Sequence, residues 1–260
     1  MDATVTAFLG AGTMGEALLA GSLAGGLAAR DVRVSSRRQS RVDDLARSYG
    51  VRGTTDNAEA VAGARIVVLA VPPPQVAGLL AEIAGRLRDD AVVVSLADGV
   101  ALAELESGLP RGAGAVRAMP SLTARAGHGL TLVTFGGGCD ERQADEVTAL
   151  FARSGEVIRV EEAQHAVLGP LSSGGPAYFF YVADAMIEAG AVRGIPRGLA
   201  RRLVAQAMAG SAAWLRDGDE DAAALRAKVC APGGAGIRRI AELDERAVRA
   251  ALVAALTRPV

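Results

Sequence analysis

The chain has 260 residues, half of them hydrophobic, and its 28 basic and 29 acidic side chains leave a net charge of −1. That is enough apolar material for one large or two smaller buried cores, with no charge excess to select nucleic acid or an anionic membrane as partner. Two cysteines, Cys139 and Cys230, and two histidines supply neither a disulfide framework nor a metal-ligand spacing. The chain starts without a basic leader region, and its most apolar run, IVVLAV at 66–71, is too short to span a bilayer. A soluble, reduced, cytoplasmic protein is expected.

Along the chain, TVTAFL (4–9) predicts a buried strand and residues 13–29 a helix with Met14, Leu18, Leu19, Leu23 and Leu27 turned inward. Strands over 31–36 and 65–71 enclose a helix at 39–49. A helix at 75–87, a strand at 91–97 and an apolar run at 114–119 follow. Strands at 129–136 and 155–160 flank a helix at 140–153. Strands that are continuously apolar, alternating with helices, predict a parallel sheet covered on both faces.

From residue 161 strand patterns stop, and 176–191, 196–216, 219–229 and 235–256 carry helical periodicity. Pro176 and Pro196 suit first-turn positions, and Gly174-Gly175-Pro176 interrupts any helix entering from 162. The expected domains are therefore 1–160 and 161–260. Long apolar helix faces with no sheet to cover call for a homodimer through this half, a self-contained bundle being the alternative.

Gly10-Ala11-Gly12-Thr13-Met14-Gly15 is GxGxxG between the first strand and the first helix. Gly10 permits the tight turn, Gly12 lets backbone approach a pyrophosphate, and Gly15 lets helix pack on strand; the helix N-terminus supplies N–H groups for phosphate. The second strand ends in Ser35-Ser36-Arg37-Arg38. No acid stands there for the ribose hydroxyls of NAD, while hydroxyls and guanidinium suit a 2′-phosphate, so NADPH is the expected cofactor. In the helical half, Gly233-Gly234-Ala235-Gly236 precedes a helix and offers backbone N–H groups to a carboxylate, or is simply a turn.

Four stretches together resemble pyrroline-5-carboxylate reductases, nearly end to end. GAGTMGEALLAG (10–21) resembles the family's GAGNMAEAL, RAMPSLTARAGHG (117–129) its RVMPNTPALVGEG, PLSSGGPAYFFYVADAMIEAG (170–190) its ALSGSGPAYVF segment, and LRAKVCAPGGAGI (225–237) its LRDKVTSPGGTTI. The resemblance implies a Rossmann-type doubly wound domain followed by an all-helical dimerisation domain. It implies hydride transfer from a nicotinamide to the carbon of a cyclic imine, giving proline. The implied cofactor contacts are Gly10, Gly12, Thr13, Met14, Gly15, Ser35, Ser36, Arg37, Ala70, Val71, Pro73, Ala97, Met119 and Pro120, and Gly233, Gly234, Ala235 and Gly236 would hold the substrate.

The chain departs from the family pattern where side chains would meet ligands. Gly236 stands for the family's last threonine, Ser121 for its asparagine, Pro72 for its lysine, Cys230-Ala231 for a threonine–serine pair, and Ala97-Asp98 for an alanine pair. Asp98, just past a strand end, is placed either to pair with an iminium or to cap the helix that follows. Asp98, Ser121 and Tyr178 are the candidate catalytic side chains. The implied activity is NADPH-dependent reduction of 1-pyrroline-5-carboxylate. The alternatives are reduction of another cyclic imine and a non-catalytic NADPH-binding role.

Overall fold

The computed structural model describes residues 4–258, and the chain divides into two units, Met1–Pro176 and Ala177–Val260. The first unit runs β1 (Thr6–Leu9), α1 (Thr13–Ala24), β2 (Val32–Ser35), α2 (Gln39–Tyr49), β3 (Arg52–Thr54), α3 (Asn57–Val61), β4 (Ile66–Leu69) and α4 (Val76–Ile83). It continues with β5 (Val92–Ser95), α5 (Leu102–Ser107), β6 (Gly114–Pro120), β7 (Gly129–Phe135), α6 (Glu141–Ala152), β8 (Gly155–Arg159) and α7 (His165–Leu168). The strands form one sheet in the order β3-β2-β1-β4-β5-β6-β7-β8.

Every residue of β1, β4 and β5 is buried, as their unbroken apolar runs require. Successive side chains go to opposite faces and seed two cores. Phe8, Val34, Val68, Val94 and Val116 pack with Leu18 of α1 and Phe151 of α6. Ala7, Leu9, Val67, Leu69 and Val93 pack with Leu80 of α4 and Leu105 of α5.

The sheet is not parallel throughout. β7 pairs antiparallel with β6, Met119 facing Leu132 and Pro120 facing Thr131, whereas the other ladders are parallel. The short segment 121–128 between them is a turn with one 3₁₀ stretch, too short for a crossover helix. β3 and α3 are additions to the expected order. Residues 52–54 are too polar and glycine-bearing to register as a strand, and α3 is a single capped turn behind Asp56, whose carboxylate accepts from Ala58 and Glu59 N–H. The first helix ends at Ala24 rather than residue 29, because Gly25-Gly26 follows.

The first unit also includes residues beyond Val160. Glu162 accepts the Leu102 N–H at 2.7 Å, and His165 is fully buried with its ring 2.9 Å from Thr134 of β7. The chain then breaks at the expected glycines, and α8 (Gly175–Val192) begins.

The second unit adds α9 (Arg197–Asp217), α10 (Ala222–Val229), α11 (Ala235–Glu245) and α12 (Val248–Thr257). The expected helix 235–256 is two helices, parted at Ala247, whose φ of +54° is left-handed. Ala183, Ala200 and Val204 are the buried apolar side chains among this unit's described residues, whereas Phe179, Phe180, Tyr181, Val192 and Trp214 are exposed. Among the described residues no helix is long and apolar enough to cross a membrane.

Candidate functional site

A cleft of about 740 Å³ opens at the C-terminal ends of β1, β2 and β4, where open α/β sheets bind ligands. Its floor is the turn from β1 to α1. Gly10 has φ +84°, and a Cβ there would lie 2.6 Å from Val71 Cγ1 and 2.9 Å from the Ala70 carbonyl oxygen. Gly15 is pressed against the same turn, since its Cβ would stand 2.8 Å from the Gly10 oxygen. Gly12 is different: it is exposed, and a Cβ would meet nothing within 4 Å. The space above Gly12 is thus left for something outside the chain. α1 starts behind it with no side-chain cap, leaving its first N–H groups to a ligand.

Arg41 of α2 braces this turn. Its Nε donates to the Ala11 carbonyl at 3.0 Å, and its guanidinium pairs with Glu16, which also accepts the Tyr49 hydroxyl at 2.8 Å. The hydrogen bond from Arg41, with that from Tyr49, holds the Glu16 carboxyl below its ordinary range. Arg41 therefore lines the cleft while its charge is already committed. Arg37 and Arg38 stand exposed on the rim, and no carboxylate pairs with either among the described residues.

Just before them, at the end of β2, Ser35 is fully buried and its hydroxyl donates to Asn57 Oδ1 at 2.6 Å. Asn57 Nδ2 in turn donates to both carboxylate oxygens of Glu82 on α4, each at 3.1 Å. Of the residues that the resemblance assigns to the cofactor, Gly10, Gly12, Ser36, Arg37, Ala70 and Val71 line the cleft. Pro72 takes the lining position, with Pro73 opening a 3₁₀ turn behind it. Thr13 and Met14 lie in the first turn of α1.

Arg38 of the Ser35–Arg38 run lines the cleft too, and the structure adds Ala11, Arg41, Asn57, Gln75, Gly78, Leu79 and Glu82. Asn57 was detectable through its place behind the Asp56 cap; Gly78 and Glu82 carried no sequence signal beyond spacing by one helical turn.

A second group of side chains gathers past the ends of β5 and β6. Ala97 is buried with its N–H on Ser95 Oγ at 3.2 Å. Met119 sits beside Gly169, whose Cβ would be 3.3 Å from its sulfur. Asp98 is not the cap of α5, which starts at Leu102 behind Ala101 and takes its acceptor from Glu162 instead. Asp98 Oδ1 accepts from Gly99 N–H at 2.9 Å and from Arg117 Nη2 at 3.2 Å, with the side chain 80% exposed.

Arg117, on β6 and mostly buried, bridges Asp98 to Glu162 at 3.4 Å. The Thr134 hydroxyl donates to the Val160 carbonyl, so His165 Nε2 carries the proton it shares with Thr134, and Nδ1 is a buried acceptor with no partner among the described residues. Burial, then the Arg117 charge, pushes the His165 pKa down. His128 is exposed.

Ser121 is buried: its hydroxyl accepts from Leu130 N–H at 3.0 Å and shares a hydrogen bond with Thr123. In the helical unit Tyr178 is half-buried near the start of α8. The 233–236 loop turns at Gly233 (φ +73°), and Gly234 N–H is spent on the Ala231 carbonyl at 2.9 Å, while α11 begins with no side-chain cap. A Cβ at Gly236 would meet the Cys230 sulfur at 3.6 Å, an ordinary contact, so packing does not demand glycine there.

Residues 162–259 match the family model described as pyrroline-5-carboxylate reductase dimerisation, and residues 5–99 the one described as NADP oxidoreductase, coenzyme F420-dependent. The pyrroline-5-carboxylate reductase of Corynebacterium melassecola is 35% identical, the match covering 95% of this chain and 93% of that protein. That of Mycobacterium tuberculosis is 37% identical, covering 96% and 92%. The solved Coxiella burnetii enzyme of the same name is similar at a TM-score of 0.86 and 29% identity, over 98% of this chain and 96% of that one. By motif, sequence and fold together, the chain belongs to the pyrroline-5-carboxylate reductase family.

Proposed function

We propose that this protein is an NADPH-dependent reductase of a cyclic imine carboxylate, with 1-pyrroline-5-carboxylate as nominal substrate and L-proline as product. The observation that carries the reading is the cleft itself: bare backbone at Gly12 beside an uncapped helix N-terminus, rimmed by two unpaired arginines. That donor set fits a pyrophosphate and a 2′-phosphate. Family membership supplies the reaction class. When bound, NADPH supplies the hydride that the imine carbon accepts.

The chain's own part is positioning and charge. Gly10, Gly12, Thr13 and Met14 seat the pyrophosphate through backbone, and Ser36, Arg37 and Arg38 take the 2′-phosphate. Ala70, Val71, Pro73, Ala97, Met119 and Pro120 border the cofactor's path along the strand ends. Asp98 has Oδ1 committed to Arg117 and Gly99, which leaves Oδ2 to accept a hydrogen bond from the N–H of the protonated imine, the iminium whose carbon takes the hydride. Ser121 serves by fixing the turn after Met119 and Pro120.

In the helical unit, Tyr178 and the N–H groups of Gly233, Ala235 and Gly236 are the substrate contacts, the last three suited to a carboxylate. The nucleotide domain is read as 1–160 and the dimerisation and substrate domain as 161–260, in a cytoplasmic homodimer, with dimers of dimers as the higher assembly to test. A second reading, reduction of a bulkier cyclic imine, draws on Gly236, where nothing in the fold requires a missing side chain.

Steady-state NADPH consumption tests this, with racemic 1-pyrroline-5-carboxylate beside 1-piperideine-6-carboxylate and a buffer blank. The proposal expects turnover on the five-membered ring with KM between about 1 μM and 1 mM. Turnover confined to the larger ring favours the second reading. Tight NADPH binding with neither imine reduced contradicts the nominal substrate and moves the search to bulkier imines.

A further inference from the structure

One wall of the cleft has features that phosphate binding does not use. Gly78 lies within α4, where glycine weakens a helix, yet a Cβ there would meet nothing within 4 Å and its backbone conformation is ordinary. Neither packing nor strain accounts for it. It lines the cleft, one helical turn from Glu82, which lines it too. Glu82 is a carboxylate in a cleft that otherwise gathers arginines, a poor neighbour for phosphates. It is also fixed: buried Ser35 holds Asn57, and Asn57 holds both oxygens of Glu82. A flat, open helix face one turn from an oriented acceptor suits a planar ring bearing an amine.

We propose that Gly78 and Glu82 form the adenine seat, Gly78 giving the ring room against α4 and Glu82 accepting the exocyclic amine, with Asn57 as its positioning residue. Resting on the NADPH reading above, this makes base recognition a task of α4, separate from the phosphate work of the β1–α1 turn and the β2 end. An acceptor so held discriminates by chemistry. Hypoxanthine, which carries a carbonyl where adenine carries the amine, would set oxygen against carboxylate.

The test is equilibrium titration of the full-length protein, without imine, using NADPH and its deamino form, which carries hypoxanthine. Wild type is expected to bind NADPH at least about tenfold more tightly than the deamino form. In Glu82→Gln, whose amide both accepts and donates, the two Kd values should fall within about threefold of each other. Gly78→Leu, judged folded by circular dichroism, should weaken both dinucleotides alike.

Equal affinities in wild type, a preference undiminished in Glu82→Gln, or unchanged binding by folded Gly78→Leu would each overturn the adenine seat. If wild type binds neither dinucleotide, the cofactor reading falls as well, and that failure is distinct because both ligands are lost together.

Discussion

Gly10 and Gly12 stand two residues apart and ask different things of glycine. At Gly10 the backbone is left-handed and the neighbouring strand end crowds the Cβ position. Gly10→Ala should therefore cost on the order of 1–3 kcal/mol of stability, seen as a lower Tm without any ligand. At Gly12 there is only open space. Gly12→Val should keep a Tm near wild type yet lose NADPH affinity by tenfold or more, about 1.4 kcal/mol, because the side chain occupies the pyrophosphate's place.

Under the proposed reading the rim arginines Arg37 and Arg38 carry the choice of cofactor. Replacing Arg37 and Arg38 together by Gln should weaken NADPH binding roughly 10- to 100-fold and leave NADH binding nearly unchanged, as expected for losing charge-assisted contacts to one phosphate. Equal losses for both dinucleotides would place the 2′-phosphate elsewhere. Cys139 illustrates a residue with no such work. Burial pushes its thiol up to about 11, and its Sγ lies 3.3 Å from the Ala115 carbonyl, as befits a small side chain packed beside β6.

Among elements, those legible in the sequence were the ones that solve a single burial problem. β1, β4 and β5 are buried on both faces and read as unbroken apolar runs, and GxGxxG identified the turn that follows β1. β3 was not legible because a three-residue polar edge strand leaves no pattern. The antiparallel β7 was missed because strand composition does not encode direction; only the shortness of 121–128 does. Asp98 illustrates the same limit, since a cap and a salt bridge look alike until Arg117 and Glu162 are brought to it from 19 and 64 residues away.

The short α7 carries a consequence that can be measured. His165 is neutral and buried there, its pKa pushed below the ordinary 6.5 by burial and by Arg117, against the opposing charges of Glu162 and Asp98. As pH falls below about 6.5 the unfolded chain takes up a proton that the folded protein refuses. Stability is thus fully present above that pH and declines as pH drops toward the folded value. Tm should fall more steeply between pH 7 and 5 in wild type than in His165→Gln, whose amide keeps a donor for Thr134. Parallel slopes would mean that His165 titrates alike in the folded and the unfolded chain.

For the molecule as a whole, the two units divide the labour of stability. The sheet unit holds both hydrophobic cores, while the helical unit leaves large apolar side chains such as Phe180, Tyr181 and Leu203 exposed in the single chain. Residues 162–259 match the family's dimerisation model, which supports a homodimer through that surface.

If a hydride passes from NADPH to an imine carbon in this protein, isotope tracing follows it from donor to product. NADPH deuterated at nicotinamide C4 on the transferred face is incubated with 1-pyrroline-5-carboxylate and the purified protein, and the product is read by mass spectrometry and NMR. One proline per NADPH oxidised is expected, with deuterium at ring C5. NADPH oxidised without labelled proline, or bound and never oxidised, would contradict it.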